Sequence, residues 1–200
     1  GKIDEEKVFN IENAMIKVLR LKQMVDHPRL VGSQLPSRKL ETLKDILSPV
    51  IESGNKALIF TEFATMAKIL MFELGHYNPT AILGEMKAED RNASVKRFND
   101  DPNIKVMIST SAGAWGLNLQ KSCSYIINVD LPWSISKLTQ RIGRVHRIGQ
   151  EKPVNIYNLI CSNSVDEYTA SVILKKQKLS DEFLEDSRVV DKEDIANILD

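Results

Sequence analysis

Cysteine, histidine and net charge are all in short supply in this chain, and each shortage excludes a class of protein. There are two cysteines, Cys123 and Cys161, in 200 residues. That is no disulfide framework, and both fall in apolar runs that read as strands, where cysteine serves as a small buried hydrophobe. The three histidines, His27, His76 and His146, stand far apart with no cysteine or acid at ligand spacing, so no metal site is predicted. Lys and Arg total 27 against 27 Asp and Glu. A balanced charge argues against a free-standing protein that grips nucleic acid by bulk attraction. No signal-peptide pattern and no apolar stretch of membrane-spanning length occurs, so the expected setting is intracellular and reducing, away from membranes. Also missing is a G-x-x-x-x-G-K-[ST] loop, without which a chain cannot by itself cradle the β- and γ-phosphates of a nucleotide. No G-x-S-x-G, Cys/His pair or carboxylate pair offers another hydrolytic route.

What is present is ordinary in bulk: 42% hydrophobic and 27% charged residues, the profile of a soluble globular protein long enough to bury roughly 70% of its unfolded surface. Val8, Ile11, Met15, Val18 and Leu19 recur at helical spacing up to His27 and Pro28. That first helix opens without a start signal, which predicts a chain cut from a longer protein. Asp4 and its acidic neighbours read as charge on that helix. After a short linker at 32–36, Leu40, Leu43, Ile46, Leu47 and Val50 predict a second helix with a bend at Pro49.

From residue 57 the rhythm changes. Short apolar runs at 57–60, 80–83, 104–109, 125–129 and 154–161 alternate with helical patterns at 64–74, 88–98, 136–147 and 165–183. Such alternation predicts an α/β fold, a parallel sheet with helices on both faces. Ser164 and Glu167 form a capping-box signature at the start of the last helix.

Ligands of open parallel sheets bind at the carboxyl ends of strands. There the stretch STSAGAWGLNL (109–119) offers hydroxyls and small residues suited to phosphate oxygens. Read alone it is either an anion-binding loop or a plain strand-to-helix turn. QRIGRVHRIGQ (140–150) is more specific. Arg141, Arg144 and Arg147 recur every third residue along what should be one helical flank. Gly143 suggests a close approach inside that helix, with Gly149 as its stop. Spacing alone leaves two readings, a solvated basic face or a set of phosphate-binding forks.

At this point the motifs resemble a known family. QRIGRVHRIGQ resembles motif VI of the superfamily 2 helicase-like ATPases, and its RVHRIGQ ending is similar to the SWI/SNF-type branch. STSAGAWGLNL resembles motif V and KALIFTEF (56–63) motif IV of that branch. The block from Leu83 and Gly84 through Arg91 to Asn99 resembles the intervening region, and LRLKQMVDHPRLV (19–31) the helical lead-in to a second lobe. The resemblance implies a RecA-like lobe at 37–186 after a lead-in and linker at 1–36, and the charge of the residues beyond it marks an acidic tail at 187–200. It implies ATP and Mg²⁺ held mainly by a preceding N-terminal RecA-like lobe, and movement along double-stranded DNA. Carried over by position, Arg144 and Arg147 are the arginine fingers, Gln140 senses the nucleotide, and Gly116 and Asn118 lie near it. Thr61, Thr110, Ser111 and Gly113 are expected on the nucleic-acid backbone. Two places depart from the family pattern. Ala114 and Trp115 follow Gly113 where a second glycine is usual, which predicts a stiffer loop, and Ser134-Ile135 replaces Asn-Pro ahead of the arginine helix. The rival readings are a free-standing, non-catalytic binding module and a lobe of a strand-separating helicase.

Overall fold

Strands with both faces buried read as unbroken apolar runs, and parallel neighbours need long crossovers between them. Both conditions are met here. The computed structural model describes residues 5–111, 113 and 116–186. The strands are β1 (Ala57–Thr61), β2 (Thr80–Ile82), β3 (Val106–Thr110), β4 (Tyr125–Asn128) and β5 (Asn155–Asn158). They form one wholly parallel sheet in the order β2-β3-β1-β4-β5. The helices are α1 (Glu5–Asp26), α2 (Arg38–Glu52), α3 (Ala64–Glu73), α4 (Ala88–Asp100), α5 (Ile135–Ile142) and α6 (Val165–Asp186). The tail at 187–200, Asp4, and Ala114 and Trp115 of the glycine loop lie outside the described residues, as do the side chains of Val8 and Ile11.

Side chains alternate across the central strands. Ala57 and Ile59 of β1, with Val106 and Ile108 of β3, meet Leu43 and Leu47 of α2 and Met66 and Leu70 of α3. Leu58, Phe60 and Met107 point the other way, toward Phe98 of α4 and the loop residues Leu117, Leu119 and Val145. Helices thus cover both faces, as the alternation predicts. The edge strand β5 is the exception: Ile156 and Tyr157 remain exposed. Cys123 and Cys161 fall just outside β4 and β5 rather than within them. Cys123 is buried, and burial pushes its thiol up to about 12.

Local signals decide the helix ends. Ser37 caps α2 by accepting from the Leu40 amide at 3.3 Å, and its own hydroxyl donates to the Asp26 carbonyl at 3.0 Å. The helix runs on past Pro49 to Glu52. At α6 the Ser164 hydroxyl accepts from the Asp166 amide at 3.1 Å, while Glu167 takes the amide of Asn163, one residue earlier than a standard capping box. Among the described residues no helix is long and apolar enough to cross a membrane.

Three helices and the end of β4 meet at a buried lysine. The Lys39 ammonium contacts Asp26 of α1 at 2.7 Å, Asp166 of α6 at 2.5 Å and the Val129 carbonyl at 2.8 Å. One cation cannot neutralise two carboxylates, and Asp130 lies near enough to add a third charge. Burial, and then Asp130, push the Asp26 carboxyl from 3.8 up to about 8. Among the described residues its Oδ2 has no hydrogen-bond partner, which leaves that oxygen to carry the proton. A carboxyl whose pKa is raised by folding favours the folded state while protonated, and that advantage drains away as pH rises. The stability difference between wild type and Asp26→Asn, from urea titrations, should therefore shift against the wild type between about pH 4 and pH 8 and then level off. A difference independent of pH would contradict the assignment.

Candidate nucleotide and nucleic-acid site

Parallel pairing brings Thr61 and Thr110 side by side at the carboxyl ends of β1 and β3, with Asn128 ending β4 beside them. Asp130, fully buried just beyond β4, accepts from the Thr61 hydroxyl at 2.7 Å and from the Glu62 amide at 2.9 Å. This carboxylate ties two strand ends together.

Into that floor reaches Arg141 of α5, 2% exposed. Its Nη1 donates to the Asn128 side-chain oxygen at 2.9 Å and to the Asp130 carbonyl at 2.7 Å. Its Nε and Nη2 donate to the Ser111 hydroxyl at 3.2 and 2.9 Å, and Nη2 pairs with Glu62. The guanidinium carbon lies 5.2 Å from the centre of the Phe60 ring. A buried guanidinium is tolerated only where its donors are satisfied in this way. Ser111 in turn donates to Glu62. Burial pushes the Glu62 carboxyl up, but the Ser111 hydrogen bond and the Arg141 and Lys137 charges outweigh it and hold it below the usual range.

The expectation of three arginines on one helical flank is corrected here. Helix α5 stops at Ile142 with Gly143 as its C-cap. The chain then winds through tight turns, with Val145 and His146 donating to the Ile142 carbonyl at 3.0 and 2.8 Å. The physical reason is Val145, fully buried in the core that contains Phe98, which pulls the chain inward. Among the described residues Gly143 also admits no close neighbour: a Cβ there would meet only the carbonyls of its own helix, at 3.4 Å or more. Gly149, at φ 93°, ends this turn segment rather than a helix. Ser134 takes the N-cap position of α5 without a side-chain capping bond.

Above the floor opens a cleft of about 400 Å³, lined by Glu62, Thr110, Ser111, Lys137, Gln140 and Arg144 among others. The Arg144 Nε donates to the Gln140 carbonyl at 3.1 Å, and partial burial, then the Arg147 charge, lower its pKa. Of the predicted site residues, this cleft gathers Thr110, Ser111, Gln140 and Arg144. The others stand elsewhere. Arg147 is exposed and donates to Asn118, which with Gly116 lines a separate depression against α4. Thr61 is fully buried with its hydroxyl given to Asp130, so in this arrangement it presents no surface to a ligand. Gly113 is buried too, its amide donating to the Thr110 carbonyl at 2.9 Å.

Sequence spacing singles out neither Glu62, Asn128 nor Asp130, and it sets Arg141 on the same flank as Arg144 and Arg147. One signal was available: Leu138, Arg141 and Val145 stand at i, i+3 and i+7, so Arg141 interrupts an apolar stripe. The close approach read into Gly143 belongs to Gly113, where a Cβ would sit 2.5 Å from the Ile82 carbonyl. Gly113→Ala should cost about 1–3 kcal/mol, the usual scale of overpacking. Urea denaturation checks this, and a loss under about 0.5 kcal/mol, the ordinary surface-substitution range, would show that the strand end yields freely.

The comparisons with known proteins agree with this architecture. The family model for the helicase conserved C-terminal domain matches residues 38–149, more than half of the chain. A probable ATP-dependent helicase of Plasmodium falciparum is 38% identical over 162 residues, 80% of this chain and 8% of its own length. The mouse SWI/SNF-related matrix-associated actin-dependent regulator of chromatin subfamily A member 1 is 28% identical across 96% of this chain and 19% of its own. Among solved structures, the Sulfolobus solfataricus SWI2/SNF2 ATPase core in complex with double-stranded DNA superimposes with a TM-score of 0.70 at 29% identity, covering 87% of this chain and 40% of that one. The chain spans less than a third of the length of the first curated relatives it matches. It belongs to the helicase conserved C-terminal domain family, as a RecA-like C-terminal lobe of the SWI/SNF type.

Proposed function

We propose that this chain is the second lobe of an intracellular, ATP-driven translocase on double-stranded DNA. ATP is bound with Mg²⁺ mainly by a preceding lobe, and this lobe completes the pocket. The observation that carries the reading is the meeting of the Thr110 and Ser111 hydroxyls with Gln140 and Arg144 in one cleft. A strand-end loop suited to phosphodiester oxygens and an arginine segment suited to a transferring phosphate thereby share a floor. The duplex-bound relative from Sulfolobus solfataricus supports the choice of DNA.

In this reading ATP supplies the phosphoryl group whose transfer powers movement, and the chain's own residues position and neutralise. Arg144 and Arg147 bring charged forks toward the γ-phosphate, and Gln140, beside Arg144, follows the nucleotide state. Gly116 and Asn118 approach the nucleotide from the motif V side, Asn118 holding Arg147 until it is needed. Thr110 and Ser111 meet the DNA backbone, with Thr61 and Gly113 shaping that loop from beneath. An arginine finger contributes about 10³–10⁵ in rate, and this chain alone, with no phosphate-cradling loop, is expected to be inactive.

The test uses the complete parent protein. Arg144→Ala or Arg147→Ala should lower DNA-stimulated ATP turnover by about 10³-fold or more while leaving duplex affinity nearly unchanged. Normal turnover in either variant would remove that residue from the finger role.

A further inference from the structure

Glu62 is out of character for a phosphate-binding cleft. Its neighbours there are cations and hydroxyls, and a carboxylate among them repels the very group they suit. Glu85 also lines the cleft, but it is well exposed and answered by Lys68 at 3.7 Å. Glu62 is different. Its side chain is 24% exposed, and one oxygen, Oε1, takes both the Ser111 hydroxyl hydrogen and an Arg141 N–H. Those are the donors that a phosphate oxygen entering the cleft floor would use. The backbone amide of Glu62 is bound elsewhere, to Asp130, so the side chain can swing away without unmaking the strand end.

We propose that Glu62 is a built-in competitor for a DNA backbone phosphate: its carboxylate occupies the Ser111 hydroxyl and the Arg141 guanidinium, and the duplex must displace it to seat fully. This rests on the reading of the cleft as part of the DNA path. The consequence is selectivity. A lone anion meets a site already filled by a tethered one. A duplex that also engages Lys137 and the Thr110 hydroxyl gathers enough contacts to displace the carboxylate. Displacement leaves Arg141 anchored by Asn128 and the Asp130 carbonyl, with its remaining N–H groups turned to the phosphate.

The experiment is Glu62→Gln in the complete parent protein, measuring duplex affinity by fluorescence anisotropy at fixed salt and the KM for ATP separately. Neutralising one charge a few ångströms from the phosphate should tighten duplex binding by on the order of tenfold, with the KM for ATP unchanged. A carboxylate that merely props Arg141 and Ser111 in place predicts the opposite sign, because its loss would loosen the site. Weaker or unchanged duplex binding in a variant that melts like the wild type overturns the proposal. A fall in the KM for ATP without tighter DNA binding overturns it as well, since the competing phosphate would then be the nucleotide's. Should Glu62→Gln melt early, Glu62→Ala gives the same reading without the amide. Absence of duplex binding by the wild type itself would instead dismiss the DNA-translocase reading, and this inference with it.

Discussion

A guanidinium cut off from water must find an oxygen for each N–H it carries. Arg141 finds them at the ends of three neighbouring strands and in the loops that follow. Its donors reach the Asn128 side chain, the Asp130 carbonyl, the Ser111 hydroxyl and Glu62. Motif IV contributes Glu62, motif V contributes Ser111, and motif VI contributes the arginine itself. Helix α5 therefore cannot shift relative to the strand ends without breaking several charge-assisted bonds together. Because Gln140 and Arg144 flank Arg141 along the chain, their placement over the cleft depends on that anchor.

The rest of the lobe serves to hold those strand ends still. Cores on both faces of the sheet bury β1 and β3 completely. At the back of the same floor, Lys39 joins α1, α2 and α6 to the end of β4 through Asp26, Asp166 and the Val129 carbonyl. Asp130 stands between the two charged clusters. It binds Thr61 and Glu62 on the cleft side and raises the Asp26 pKa on the other. Lead-in helix and cleft floor are thus joined through one run of buried polar groups.

The sheet was plain in the sequence because a parallel strand carries its own mark. Runs such as Ala57 to Phe60 have no polar face, and all but the run at 104–109 are followed by a helical pattern. Motif order likewise drew Thr110, Ser111, Gln140 and Arg144 into one expectation, and the fold gathers these four at one strand-end cleft. What sequence spacing could not show was where α5 ends. A three-residue repeat of arginines looks like a helical flank until Val145 is known to be buried, and that depends on Phe98 and Leu117 arriving from elsewhere in the fold. The buried clusters were equally hidden. Lys39 and Asp166, or Glu62 and Arg141, are brought together only by the crossover connections, and each reads singly as surface charge.

Hydrogen exchange on Arg141→Lys shows whether this arginine holds the strand-end loops. Lysine keeps the charge but offers a compact ammonium in place of a planar fork, so it cannot span all four partners. Faster exchange is expected together at the amides of Glu62, Gly113 and the α5 helix, with the interior of β1 still protected. Faster exchange confined to α5, with the Glu62 and Gly113 amides unmoved, would show that the strand-end loops hold themselves and that Arg141 does not anchor them.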